Sequence, residues 1–331
     1  MKAVIENEHG APGVLEVTET DKPQVGAGQV LVRIAAAGLN RADVVQRKGH
    51  YPPPAGESKI YGLEAAGVIE EVGAGVPASR VGQKVMVLLA SGGYAEYVAV
   101  DARCAIDIPE GLSLVEAACL PEVAATVYSN LVMVAGVSTD PRDNAGKSVL
   151  IHGGSGGIGA HAIQLCVALG LRVFSTAGTS EKCDYIESLG AEPINYREQD
   201  FEQVVDEKTE GAGVNFIFDM VGGAYLSQHL RALALDGSMV TIAVQGGKVG
   251  EFDLSLAMKK RLNIYGRTLR AQSLDYKARV LEGVEQYVVP LVKEGKISPN
   301  LHKTFLFGEV AAAHEYFDSG QHRGKVVLVM E

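Results

Sequence analysis

Short apolar runs, alternating or β-branched, dominate the first third of the chain. Residues 3–6, 15–19, 29–36, 67–72, 84–88 and 94–100 each have the length and composition of a strand. Pro12-Gly13, Gly26-Ala27-Gly28, Pro52-Pro53-Pro54, Gly73-Ala74-Gly75 and Gly92-Gly93 punctuate them as turn formers do. The spacing predicts a partly open barrel or sandwich of antiparallel strands over residues 1–121. From residue 122 the pattern changes to helix and strand in alternation. A helix is predicted over 122–134, then a buried strand over 148–152. Ile158, Ala162, Leu165 and Leu169 follow on one helix face, with Gly170 placed to end that helix. Strands over 172–177, 193–196, 214–219, 239–242 and 263–265 continue the series, with helices reaching Leu189 and spanning about 225–233. Such alternation implies a parallel sheet covered on both faces, a doubly wound α/β domain over 122–266. A long helix over 276–293 and a last strand over 325–330 are expected to return the chain, from residue 267, to the first domain.

The 331 residues suit about two domains, and 47% hydrophobic with 21% charged residues provides a full core. The net charge of −10 weakens the case for bulk nucleic-acid or anionic-membrane binding. The basic run Lys259-Lys260-Arg261 reads as a solvated helix end. No apolar stretch approaches the roughly 20 residues of a membrane helix, and the charged start does not look like a signal peptide. Cys104, Cys119, Cys166 and Cys183 form no C-x-x-C pair, which argues against a disulfide framework or cysteine-rich zinc site. A reducing cytoplasm is the expected compartment.

Chemistry is concentrated in Gly153-Gly154-Ser155-Gly156-Gly157-Ile158-Gly159, between an apolar strand and an apolar-faced helix. Gly154, Gly156 and Gly159 fit G-x-G-x-x-G, whose glycines let backbone N–H groups and a helix N-terminus approach a pyrophosphate. Gly154, Gly156, Gly157 and Ile158 are therefore candidate dinucleotide contacts. Cofactor choice falls to the end of the next strand, where NAD binders carry a carboxylate for the ribose 2′-hydroxyl. Here the chain reads Ser175-Thr176-Ala177-Gly178-Thr179-Ser180-Glu181-Lys182. The strand tip lacks a carboxylate, and Thr179, Ser180 and Lys182 can bind a 2′-phosphate, which favours NADPH. Glu181 would oppose that phosphate if it pointed inward.

Further motifs carry a family resemblance. Gly38-Leu39-Asn40-Arg41-Ala42-Asp43, Gly62-Leu63-Glu64-Ala65-Ala66-Gly67, Gly92-Gly93-Tyr94-Ala95-Glu96-Tyr97, the glycine loop and Gly324-Lys325-Val326-Val327 resemble the medium-chain dehydrogenases/reductases. That resemblance implies a mainly-β GroES-like catalytic domain beside a Rossmann domain. The zinc alcohol dehydrogenases of that superfamily carry Cys and His where this chain has Asn40 and Leu63. Asn is a poor zinc ligand and Leu is none, and no cysteine precedes Cys104, so no metal is expected. With Asp43, Tyr51 and its prolines, Tyr196 after Asn195, and Phe218-Asp219-x-x-Gly222-Gly223, the chain is similar to zeta-crystallin-like quinone oxidoreductases. Within them it most resembles the branch holding the tumour-suppressor-inducible quinone reductase. The turn Val81-Gly82-Gln83-Lys84-Val85 departs from the family's Gly-Asp-x-Val.

The resemblance implies NADPH-dependent hydride transfer to a quinone, an acceptor that needs no Lewis acid. It places Asn40 and Tyr51 near the nicotinamide, where an amide and a phenol could stabilise developing oxygen charge. Asp43 is expected to orient Asn40 or cap the helix beginning there, and His152 to be a satisfied core histidine. Tyr196, Gln245 and Lys325 are further cofactor contacts implied by the family, as is a homodimer joined through the strand near Asn263. An enoyl or 2-alkenal reductase on the same scaffold is the alternative within this fold. A different-class alternative is an RNA-binding or structural, crystallin-like protein, which the acidic balance and intact glycine loop oppose.

Overall fold

The structure, a computed structural model, describes residues 1–330 and contains two compact units. The first comprises Met1–Ala125, Leu269–Lys293 and the stretch from Pro299, and the second comprises Thr126–Thr268 and Glu294–Ser298. In chain order the strands are β1 (Lys2–Glu6), β2 (Leu15–Glu19), β3 (Gln29–Gly38), β4 (Glu64–Val72), β5 (Lys84–Leu88), β6 (Tyr97–Asp101) and β7 (Ala105–Asp107). There follow β8 (Ser148–Ile151), β9 (Arg172–Ala177), β10 (Glu192–Asn195), β11 (Val214–Asp219), β12 (Leu233–Thr241), β13 (Asn263–Gly266), β14 (Leu301–Leu306) and β15 (Lys325–Val329).

In the first unit a sheet of order β14-β15-β3-β4-β5-β7 is antiparallel except for the β14–β15 pair, and β6 also pairs with β3. The ten residues of β3 are central, meeting β4, β6 and β15 along their length. Close approach sets the composition of β4. A Cβ on Gly67 would lie 2.1 Å from the Arg33 carbonyl oxygen, so glycine lets the two backbones meet. Strand β6 starts at Tyr97 rather than at residue 94. The chain before it is tied elsewhere, Gly93 and Tyr94 donating to the carbonyls of Gly62 and Tyr61.

The second unit holds a parallel sheet of order β10-β9-β8-β11-β12-β13, the doubly wound arrangement that the alternating pattern predicts. Its core joins Leu150, Phe174, Ile194, Ile217 and Met239 from the strands to Phe201 and Val205 from a covering helix. The helix Gly157–Ala168 buries every residue from Gly159 to Cys166, so the single apolar face expected for it is too narrow. Leu169 caps it, and Gly170 follows at φ +80°, where glycine costs least.

Two predicted helices are interrupted. The first runs α-helically over Pro121–Val127 and then as a π-helix over Tyr128–Val132. Ser129 Oγ and Asn130 Nδ2 both donate to the Thr126 carbonyl oxygen, competing with the regular backbone ladder. The second divides into Leu274–Gly283, a π-segment Val284–Val288, and Val289–Lys293. Pro290 lacks the N–H needed to continue the ladder there. Strand β14 and the helix Val310–Asp318 were not foreseen. Most of β14 is exposed and its apolar positions are sparse, while the helix begins on a run of three alanines.

The basic run ends the helix Leu254–Lys260, but it is not simply solvated. Lys260 Nζ donates to the carbonyls of Leu230, Arg231 and Leu233 at the end of the helix Leu226–Ala232, where cation and helix dipole attract. Arg261, at φ +54°, pairs with Asp236. Among the described residues no helix is long and apolar enough to cross a membrane.

Candidate active site

In the second unit, β8 leads into the glycine loop and the helix Gly157–Ala168. Internal packing explains two of the three fingerprint glycines. A Cβ on Gly154 would lie 2.0 Å from Ser175 Oγ, which is fixed by donating to the Ile151 carbonyl, and one on Gly159 would lie 2.3 Å from the Gly153 oxygen. Gly156 is different. A Cβ there would meet nothing nearer than 3.6 Å, and its φ of −81° suits any residue. As N-cap it offers no side-chain acceptor, and the first turn holds no acidic residue. The helix end thus has uncapped N–H groups and an open approach, as a pyrophosphate requires. Gly157 and Ile158, both half-buried, form the first turn beside it.

Strand β9 ends at Ala177 without a carboxylate. The next residue, Gly178, lies against Tyr196, since a Cβ there would be 2.6 Å from the phenol oxygen. Thr179 caps the helix Ser180–Ser188, its Oγ accepting from the Lys182 N–H. Burial, and next the charge of nearby Arg197, lower the Lys182 pKa, against the opposing effect of Glu181. Arg197 follows Tyr196, whose N–H donates to the Ala177 carbonyl, so its backbone lies beside the same strand tip, and it was not singled out in the sequence. Its position right after Asn195-Tyr196 was the available clue. Gln245 is exposed beyond β12, with its backbone N–H on the Met220 carbonyl.

His152, fully buried, lies 3.0 Å from Thr176 Oγ1 and 2.8 Å from His229 Nε2. Burial, and then His229, hold its pKa well below 6.5, as suits a core histidine. Thr176 Oγ1 also accepts from the Gly153 N–H, so this network braces the loop from below. Asp219 closes the turn after β11, accepting from the N–H groups of Val221 and Gly222 and from Thr241 Oγ1.

In the first unit, Asn40 caps the helix Arg41–Arg47, and Asp43 Oδ2 accepts its backbone N–H at 2.8 Å. Asp43 also accepts from the Tyr94 hydroxyl, and burial raises its pKa to about 6. The Asn40 side chain, 7% exposed, lies between opposite charges. Its Nδ2 donates to Glu64 Oε1 at 2.9 Å, and its Oδ1 accepts from Lys325 Nζ at 2.8 Å. Lys325 Nζ also donates to Glu64 Oε1 at 2.5 Å and to the Leu39 carbonyl at 2.9 Å. All three N–H bonds of this buried ammonium are therefore committed within the chain, leaving none for a direct cofactor contact, the role implied for Lys325 by resemblance. Burial alone would lower its pKa, but the charge and hydrogen bond of Glu64 outweigh it and leave the pKa raised.

Tyr51 is half-buried, and burial raises its pKa despite the Arg270 guanidinium 5.2 Å from the ring. Neither Arg270 nor Glu64 was weighed as a site residue from sequence, since each acts through partners remote along the chain. Leu63 is buried at 3% exposure. Among the described residues no three His, Cys, Asp or Glu side chains group as metal ligands would.

Residues 26–110 match the family described as alcohol dehydrogenase GroES-like domain, and residues 157–286 the one described as zinc-binding dehydrogenase. Escherichia coli quinone oxidoreductase complexed with NADPH is 27% identical, covering 99% of this chain and all of that one, at a TM-score of 0.87. An NAD-dependent alcohol dehydrogenase (28% identical, both chains fully covered) and the JamJ enoyl reductase (26%, covering 100% and 99%) have the same TM-score. A mycocerosic acid synthase-like polyketide synthase of Mycobacterium tuberculosis is 31% identical over 95% of this chain, which spans 15% of that relative's length. Two family models on successive stretches, together with whole-chain structural likeness, make this chain an oxidoreductase of the medium-chain dehydrogenase/reductase family.

Proposed function

We propose that the chain reduces quinones with NADPH, without a metal, as a zeta-crystallin-like member of this family. The observation that carries the cofactor assignment is a strand tip that lacks a carboxylate, with Lys182 in the first turn of the helix after it and Arg197 next to Tyr196, whose N–H bonds the Ala177 carbonyl at that tip. Those cations would hold a 2′-phosphate, with Thr179 and Tyr196 beside them. Gly154, Gly156, Gly157 and Ile158 would hold the pyrophosphate, and Gln245 is a further contact. When bound, the nicotinamide supplies the hydride. Asn40 and Tyr51 would orient the acceptor. The amide N–H of Asn40 stabilises charge building on the acceptor oxygen. The Tyr51 phenol, whose ordinary pKa already lies well above neutrality and which burial raises further, is protonated and able to donate there. A metal is unnecessary in this reading, because Leu63 offers no ligand and the Asn40 oxygen is already taken by the Lys325 ammonium.

A second reading, reduction of activated alkenes such as enoyl groups, uses the same donors on a conjugated carbonyl. The likeness to the JamJ enoyl reductase and to polyketide synthases favours it. The deciding experiment follows NADPH oxidation against ortho- and para-quinones, an enal and an enoyl thioester, repeated with NADH and with a chelator. Quinone turnover that prefers NADPH and resists the chelator supports the first reading. Turnover of the alkenes alone transfers the chain to the second. If neither cofactor is oxidised by folded protein, both fail, and salt-dependent retention on RNA tests the non-enzymatic alternative.

A homodimer joined along β13 is part of the same proposal. That strand ends its sheet, and Val249, Leu254 and Met258 nearby are 89%, 69% and 77% exposed. A cytoplasmic location suits the four free cysteines, three of them buried.

A further inference from the structure

An asparagine side chain near a reacting oxygen is useful only if its amide end, not its carbonyl end, faces the work. The two ends have nearly the same shape, so packing alone distinguishes them poorly. Asn40 is discriminated by charge. Its oxygen rests on the Lys325 ammonium and its nitrogen on the Glu64 carboxylate. A flip would set oxygen against carboxylate and NH2 against ammonium, replacing two attractions with two repulsions in a buried site where such terms are large.

The arrangement is supported on every side. Glu64 is fully buried, and its other oxygen accepts the Glu122 N–H at 2.9 Å. Gly38 makes room for it, since a Cβ there would lie 2.4 Å from Glu64 Oε1. Gly324, at φ +75°, has no space for a Cβ either, the nearest atom being the Asn300 oxygen at 2.1 Å, and it immediately precedes Lys325. Asn40 Nδ2 donates one hydrogen to Glu64 Oε1 and the other, over a long 3.4 Å, to the Gly38 oxygen. That second bond is at the weak limit of hydrogen-bond length, and a substrate oxygen would take the hydrogen by displacing the Gly38 carbonyl.

We propose that Lys325 and Glu64 are positioning residues that lock the Asn40 carboxamide in the orientation presenting its N–H to the substrate. The inference rests on the reading of Asn40 as the group that orients the acceptor, and it reassigns Lys325 from cofactor contact to internal cation. It also gives the buried ion pair a purpose other than stability, which such pairs often fail to supply.

The test compares wild type with Lys325→Met and with the charge-neutral double variant Glu64→Gln/Lys325→Met, which avoids stranding a buried carboxylate. The Asn40 side-chain signals, assigned through Asn40→Ala, are followed by 15N–1H NMR. Wild type should show one Asn40 hydrogen shifted downfield by the carboxylate, and the double variant should lose that shift. In turnover the double variant should lose at least 10-fold in kcat with KM within about 3-fold. The same replacements in an Asn40→Ala background should change kcat less than 2-fold, because nothing is left to orient. A wild-type spectrum without the downfield hydrogen overturns the proposal and requires no variant to fold. Equal kcat losses in the two backgrounds overturn it as well, since a general structural role would act without Asn40. The NMR measurement needs no turnover, so failure to reduce quinones or alkenes would sink the functional reading separately.

Discussion

Arg270 sets its guanidinium carbon 5.2 Å from the centre of the Tyr51 ring while its Nη1 donates to the Tyr51 carbonyl at 3.0 Å. Its Nε donates to Ala90 and its Nη2 to Gln46 Oε1, at 2.6 and 2.7 Å. A single buried cation thus ties the Tyr51 loop to the helix Arg41–Arg47 and to the segment after β5. Arg270→Met would leave three acceptors unpaired. We expect a stability loss of about 2–4 kcal/mol in urea unfolding, on the scale of unsatisfied buried groups. If Tyr51 works on the acceptor, kcat/KM should fall about 10-fold as well, and Tyr51→Phe should add little in that background. Lost stability with unchanged kcat/KM would reduce Arg270 to a purely structural tie.

The glycines of the loop should separate by mechanism. Gly154→Ala places a methyl 2.0 Å from Ser175 Oγ, which is held on the Ile151 carbonyl, so unfolding should come at distinctly lower denaturant. Gly156→Ala meets no close atom and should cost no more than about 1 kcal/mol as an N-cap change. Its effect should fall on cofactor binding, weakened at least 10-fold in NADPH fluorescence titration. Unweakened binding by Gly156→Ala would contradict the proposed pyrophosphate site.

Lys182 and Arg197 give the cofactor preference its own test. A hydrogen bond to a charged group contributes about 1.5–3 kcal/mol, or roughly 10- to 100-fold in affinity. Lys182→Ala and Arg197→Ala should each weaken NADPH by that factor while leaving NADH within about 2-fold. Rising salt should erode the wild-type preference in the same direction. Equal losses for both cofactors would place the two cations away from a 2′-phosphate.

These tests also mark where sequence reading stops. The glycine loop and the parallel sheet were legible because their signals are local: a glycine spacing and a strand followed by an apolar helix. Capping by Asp43 was legible for the same reason, lying three residues from Asn40. The network of Lys325, Glu64 and Arg270 was not, since Lys325 bonds Glu64 and Asn40 across 261 and 285 positions and Arg270 bonds Gln46 across 224. Sequence can suggest that Lys325 belongs to a motif, but only the fold shows that all its donors are taken. The π-segment Tyr128–Val132 escaped because apolar periodicity does not register a carbonyl claimed by Ser129 and Asn130.

Acid should destabilise the protein through its buried histidines. His161 is 1% exposed, has no partner at either ring nitrogen, and is held by burial at a pKa of about 4. Burial likewise lowers His229 to about 4, and burial with the Arg47 charge lowers His314 to about 3. A histidine whose folded pKa lies below its unfolded value near 6.5 gains a proton on unfolding anywhere between the two. Unfolding therefore takes up protons there, and stability falls as pH drops from about 6.5 towards 4. Asp43, raised to about 6, has the opposite sign and offsets part of this loss between about 6 and 3.8. With several histidines against one carboxyl the fall should prevail, each histidine contributing up to about 1.4 kcal/mol per pH unit. His161→Leu removes one such group together with two unpaired buried nitrogens. It should raise stability at pH 7 by about 1 kcal/mol and flatten the decline between pH 6.5 and 4. Urea midpoints measured across that range for both proteins check the prediction, and parallel profiles would show that His161 does not titrate on unfolding.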